Sequence, residues 1–208
     1  MPEPARKRSR SPIPLNAAKL EELALAYVAR FATTGARLEA YLARKLRERG
    51  WEGEGEPPVA RIAQRFAEAG YVDDAAFARM KTESLLRRGY GGRRVGEALR
   101  AAGVAETVRQ DNRPAASQAR HAALTMARRR RFGPWGESPP DRTVREKQIA
   151  AMLRAGHSLD IARRMVEATD REGLLEWTES AEAEGLERPH AAGPDFGDDM
   201  PEGDNACD

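Results

Sequence analysis

The feature that most limits what this chain can fold into is an order of segments that recurs along it. An apolar stripe at helical spacing is followed by a glycine-bearing break, a basic helical run closed by glycine, and a shorter apolar run. Leu46, Leu99 and Met152 are spaced 53 residues apart, as are Gly50, Gly103 and Gly156. The equality is partly accidental, because the closing glycine stands 40 residues before Tyr90 in one case and 29 before Phe132 in the next. The order is therefore stronger evidence than the period. Helical triplets of this size bury a core by stacking on their neighbours. The predicted fold is all-α: three tandem three-helix repeats forming an elongated, curved array, with disordered termini.

Local signals place the units. In the first repeat, 16–70, Asn16 can cap a helix carrying Leu20, Leu23, Ala24, Tyr27, Val28 and Phe31. Leu38, Tyr41, Leu42 and Leu46 form a second stripe ending at Gly50, with Trp51 able to fold back. Pro57 and Pro58 then introduce Val59, Ile62, Ala63 and Phe66. The second repeat, 71–113, opens on the sharpest punctuation in the chain. Gly70 can close the preceding helix in a left-handed conformation, and Asp73 can cap the next. Asp74 adds negative charge at the positive end of the dipole, and Val72 and Phe77 have the spacing of a hydrophobic staple. Its break is Gly89-Tyr90-Gly91-Gly92, and its basic helix runs through Val95 and Leu99 to Gly103. The third repeat, 114–169, breaks between Gly133 and Pro140 and restarts at Thr143, which has capping-box spacing to Glu146. It reaches Gly156 and ends in a last helix capped by Ser158.

Several function classes are excluded by what the chain carries. The lone cysteine, Cys207, permits no internal disulfide, and His121, His157 and His190 are too scattered for a metal cage. No metal-protease, phosphate-loop or paired-cysteine motif occurs. Asp73 and Asp74 could be imagined holding magnesium for phosphodiester cleavage, but adjacent carboxylates at a helix start are more simply caps. His157, between a helix-ending glycine and Ser158, suits capping or packing rather than proton transfer. The longest apolar run, Leu23 to Ala29, is too short to span a bilayer, and residues 1–15 lack the apolar core of a secretion signal. The chain is read as a cytoplasmic, non-enzymatic monomer needing no cofactor or metal.

Charge points to the partner. The net +2 hides a division: from Asp170 onward there are 13 acidic and 2 basic residues, which leaves +13 on residues 1–169. A basic body suits a polyanion or an acidic protein surface. Residues 1–15 form a basic arm and 170–208 an acidic tail, both expected to be disordered. Arg128, Arg129, Arg130 and Arg131 are the densest cations of the body. Guanidinium groups suit bidentate contact with phosphate or carboxylate, although four successive helical residues cannot all face one ligand. Arg87, Arg88, Arg93 and Arg94 bracket the turn at Tyr90. That ring either stands among cations before an acidic groove or nucleic-acid strand, or packs inward. Arg44 and Lys45 belong to a basic second helix that also bears Arg37, Arg47 and Arg49.

Together these stretches resemble one family. Leu42-Ala43-Arg44-Lys45-Leu46 with Gly50-Trp51, and Gly70-Tyr71-Val72-Asp73-Asp74 with Phe77-Ala78, carry the resemblance. So do Arg88-Gly89-Tyr90-Gly91 with Leu99 and Gly103-Val104, and Leu153-Arg154-Ala155-Gly156-His157. Across roughly 18–168 the chain is similar to the RecX regulatory proteins, bacterial modulators of the RecA recombinase. The resemblance implies an elongated helical protein that binds within the groove of the RecA filament on DNA. It would inhibit strand exchange and ATP hydrolysis while catalysing nothing; direct DNA contact is also attributed to some members. The alternative is a helical-repeat protein that acts by coating DNA.

Overall fold

The computed structural model describes residues 13–186; expectations for the rest of the basic arm and for the end of the acidic tail lie outside them. Helices account for the regular structure. The first unit contains α1 (Ala17–Val28), α2 (Gly35–Arg49) and α3 (Val59–Glu68). The second contains α4 (Asp74–Arg87), α5 (Gly92–Ala101) and α6 (Glu106–Asp111). The third contains α7 (Ala116–Arg130), a 3-10 turn at Gly133–Trp135, α8 (Arg142–Arg154), α9 (Leu159–Glu167) and α10 (Arg171–Leu186). No strand occurs among the described residues.

Each unit closes its own core. Leu20, Leu38, Leu42, Ile62 and Phe66 meet in the first, and Phe77, Leu85, Val95 and Leu99 in the second. Leu124, Met126, Met152, Met165 and Val166 meet in the third. Caps act where the sequence put them: Asn16, Asp73 and Ser158 each accept an amide hydrogen from the first turn of α1, α4 and α9. Gly70, at φ +76°, makes the left-handed stop that a side chain would strain.

The structure corrects five expectations. The end of the arm is structured: Leu15 is fully buried and pairs with the strand-like segment at Trp51, its amide donating to Gly50 O at 3.0 Å. An apolar side chain just before a capped helix finds room in the first core. The acidic tail also begins as structure. Asp170 accepts from the amides of Glu172 and Gly173, and Leu174 and Thr178, one helical turn apart, are buried as α10 packs on α7. Its charge lies on the other face, which composition alone does not reveal. Val72 joins the first core and Phe77 the second, so they do not form a staple. Asp141, not Thr143, caps α8 through Val144 N at 2.8 Å. Phe31 lies beyond the end of α1 and is 56% exposed.

One joint geometry is used twice. The Thr34 hydroxyl, at the N-cap of α2, donates to Ala102 O at the C-cap of α5, at 2.5 Å. Gly91 N, at the N-cap of α5, donates to Ala155 O at the C-cap of α8, at 2.9 Å. The basic helices of successive units therefore abut end to end, positive terminus against negative terminus, a favourable alignment of their dipoles. Gly103 and Gly156 follow those C-caps because the neighbouring unit leaves no room: added Cβ atoms would strike Ala36 and the backbone of Arg94. Packing of α4 on α7 reinforces the second joint.

Candidate partner-binding surface

Carboxylates lie beside most of the predicted cations. Arg44 and Lys45 approach Glu48 at 3.7 and 2.6 Å, and the bond from Lys45 holds the Glu48 carboxyl below the usual carboxylate range. Arg93 and Arg94 share Glu97 at 3.8 and 3.2 Å, Arg87 lies 3.8 Å from Glu83, and Arg131 lies 3.2 Å from Glu137. Such exposed pairs stabilise little. They do offset charge that a polyanion would otherwise meet. Arg88, Arg128, Arg129 and Arg130 have no carboxylate in ion-pair contact among the described residues.

Three of these four converge where the second unit meets the third. Arg88 is the C-cap of α4, and its guanidinium stands 5.2 Å from the Tyr90 ring centroid. Arg129 reaches across from α7 and donates to the Arg88 carbonyl at 3.0 Å. Arg130 is exposed beside them, and together with Gly89, Tyr90, Met126 and Ala155 the three arginines line a cleft of about 170 Å³. Arg128 points elsewhere and stands over Trp135. Tyr90 resolves inward: its ring packs on the second core and Arg88 covers it. The cleft thus offers guanidinium groups rather than an open ring, and suits a phosphate or carboxylate oxygen.

His157 supports this cleft from behind. It is 5% exposed, and its Nε2 lies 3.0 Å from Gly89 O. Burial pushes its pKa below the usual value, outweighing the opposing hydrogen bond to Gly89. The side chain locks the joint. The aspartates are structural in the same sense: Asp73 accepts from Ala76 N at 2.8 Å, and Asp74 reaches the first unit, accepting from Gly35 N at 3.0 Å. That second bond was invisible in the sequence because it spans 39 positions. No group of three or more His, Cys, Asp or Glu side chains is placed to hold a metal among the described residues.

A second surface lies on the first unit. Tyr27 of α1 stacks on Tyr41 of α2 with centroids 4.3 Å apart and planes 12° apart, and Phe31 continues the series at 5.4 Å from Tyr27. With Arg37, Ala40, Arg44 and Arg47, the tyrosines line a shallow groove. The basic row on α2 is readable from its spacing. Which ring of α1 would meet it is not.

Fold and surface define a helical-repeat protein with cationic faces between and along its units. Residues 73–111 match the family model described as RecX, second three-helix domain. The chain is 32% identical to "Regulatory protein RecX" of Myxococcus xanthus (strain DK1622) over 158 residues, covering 72% of this chain and 84% of that one. It is 34% identical to the protein of the same name from Mycobacterium sp. (strain JLS) over 166 residues, covering 77% and 88%. The crystal structure of RecX from Lactobacillus salivarius superposes with a TM-score of 0.59 at 18% identity, over 74% of this chain and 96% of that one, which supports the fold. The chain belongs to the RecX family of regulatory proteins. No helix among the described residues is long and apolar enough to cross a membrane.

Proposed function

We propose that the protein binds the RecA filament on DNA and inhibits strand exchange and ATP hydrolysis, acting as a monomeric cytoplasmic regulator without catalysis. The observation that carries this reading, beside family membership, is the cleft at the second joint. Arg88, Arg129 and Arg130 meet there without a carboxylate partner among the described residues, on a frame of helices set end to end. A filament presents one binding surface many times over, and a row of repeats meets such a surface with a row of contacts. On this reading Arg88 and Arg130 contact the filament and Arg129 ties the units together. Arg44, Lys45, Arg87, Arg93, Arg94, Arg128 and Arg131 supply the surrounding positive field. Gly70, Tyr71, Asp73, Asp74, Phe77, Gly89, Gly91, Gly103 and Gly156 set the geometry.

The test is a titration of RecA strand exchange and of its single-strand-stimulated ATPase. Inhibition is expected with the protein well below the RecA concentration. No effect at equimolar protein overturns the reading. Inhibition only when there is enough protein to cover the DNA assigns the chain to the coating class instead.

A further inference from the structure

We propose that the groove between α5 and α6 of the second unit is a docking site for an acidic peptide with an aromatic anchor, and that its occupant is this chain's own segment Asp195-Phe196-Gly197-Asp198-Asp199. The segment lies outside the described residues; the groove and the point of departure toward it do not. The groove holds about 260 Å³. It is open because α5 covers it with glycines: a Cβ on Gly96 would meet nothing within 4 Å, and one on Gly92 would touch only Pro114, at 3.7 Å. Val95 and Leu99 give it an apolar floor. Its rim is cationic. Arg100 and Arg113 are exposed and have no carboxylate in ion-pair contact among the described residues. Arg109 is already engaged, by Glu106 and by Val104 O at 3.2 Å, so Glu106 leaves the other two guanidinium groups free to take a ligand.

Three observations select the occupant. The first is where the chain leaves the body. α10 runs antiparallel to α7: Arg171 Nε, at its start, donates to Pro134 O beyond the end of α7 at 2.8 Å, and Arg120, near the beginning of α7, donates to Trp177 O at 2.8 Å. From Ser180, which Arg120 also reaches, α10 advances roughly 9 Å to Leu186. It therefore ends toward the start of α7, which Pro114 of the groove precedes by two residues. Ten residues separate Leu186 from Phe196 and span at most about 33 Å. The second is charge: residues 187–208 carry seven acidic residues and one arginine. The third is pattern. Phe196 stands between Asp195 and the pair Asp198-Asp199, so its ring can enter over Gly92 and Gly96 while carboxylates on either side meet Arg100 and Arg113. A short tether gives an effective concentration on the order of millimolar, so weak pairing suffices. The cleft at the second joint lies toward the opposite end of α7, roughly 20 Å along its axis. The site goes beyond the filament reading, since it concerns neither RecA nor DNA.

The test places one nitroxide on the full chain and reads backbone amide signals by nuclear magnetic resonance. Cys207→Ser removes the native thiol, and Ala192→Cys carries the label four residues before Phe196. The amides of Gly96 and Arg113 should lose most of their intensity, and those of Arg129 and Arg130 little. Phe196→Ala should restore the lost signals by removing the anchor. Arg100→Glu combined with Arg113→Glu should restore them by reversing the rim. Both arginines are exposed, and circular dichroism melting confirms that each variant is folded. Isotope-labelled chain without nitroxide, mixed with spin-labelled chain, should show no broadening. Broadening in that mixture gives the groove to a second copy and overturns the intramolecular assignment. Absence of broadening, broadening centred on Arg129 and Arg130, or broadening unmoved by either variant overturns the groove itself. No recombinase is present, so the outcome is independent of the filament reading.

Discussion

Gly91 donates its amide hydrogen to Ala155 O across 2.9 Å, and the chains lie so close there that a Cβ on Gly91 would overlap the Gly156 carbonyl. The second joint therefore has no tolerance for a side chain. Gly91→Ala should destabilise the protein by about 1–3 kcal/mol through overpacking. Gly96, inside α5 with open space around it, is the control: Gly96→Ala should stabilise by about 0.5–1 kcal/mol. Urea denaturation measures both, and equal effects of the same sign would contradict the close approach.

His157 gives the joint a pH dependence. Its folded pKa lies below 6.5, chiefly because burial disfavours the imidazolium, so the unfolded chain takes up the proton first as pH falls. The contribution is complete above the unfolded pKa and declines as pH drops towards the folded one. Urea midpoints should fall between about pH 7 and pH 5. His157→Gln should flatten that part of the profile, and an unchanged slope would place the proton elsewhere.

Asp73 and Asp74 should separate by role. Asp73→Ala removes a cap and should cost about 1 kcal/mol in thermal melting without weakening RecA inhibition. Asp74→Ala leaves the Gly35 amide unpaired and should speed amide exchange at the start of α2, far away in sequence. Loss of inhibition by Asp73→Ala at unchanged melting would return the aspartates to function.

Truncation should distinguish two parts of the acidic end. Removing residues 170–208 takes away α10 and exposes the α7 face it covers, so stability should fall. Leu174→Ala alone should cost about 2–5 kcal/mol. Removing only 187–208 deletes seven acidic residues and one arginine, and should strengthen binding to a polyanion at low salt while leaving melting unchanged. Unchanged polyanion binding would mean the segment does not screen the body.

Arg130→Glu should weaken RecA inhibition by tenfold or so, about 1.4 kcal/mol, with no change in melting, because the side chain is exposed and has no ion-pair partner among the described residues. Arg131→Glu, which alters a residue already beside Glu137, should do much less. Equal inhibition by both variants would remove the cleft from the binding surface.

The order of the helices and three of the caps were legible because each depends on residues within a few positions: Asn16 on Lys19, Asp73 on Ala76, Ser158 on Ile161. The closing glycines were legible too, as helix ends. Their second reason, the proximity of the next unit, was not, because Gly103 meets Ala36 and Gly156 meets Arg94 only after folding. The candidate cleft was legible as a list of arginines and illegible as an arrangement. Arg128 and Arg129 are adjacent in sequence, yet one stands over Trp135 and the other crosses to Arg88. The tail misled for a related reason: mean charge hides the periodicity that buries Leu174 and Thr178.

The two joints share an end-to-end arrangement of helices but not the same packing. Between the second and third units, α4 lies on α7 with His157 buried beside the contact, so bending there would open apolar surface. Between the first and second, the bonds of Thr34 and Asp74 and the placing of Arg37 over Phe77 carry the connection, and water can substitute for much of this. The second and third units are thus joined through buried apolar surface, and the first is joined to the second mainly through polar contacts. A bend between units should therefore cost less at Thr34 and Asp74 than at the His157 joint, which faster amide exchange at Gly35 than at Gly91 would show.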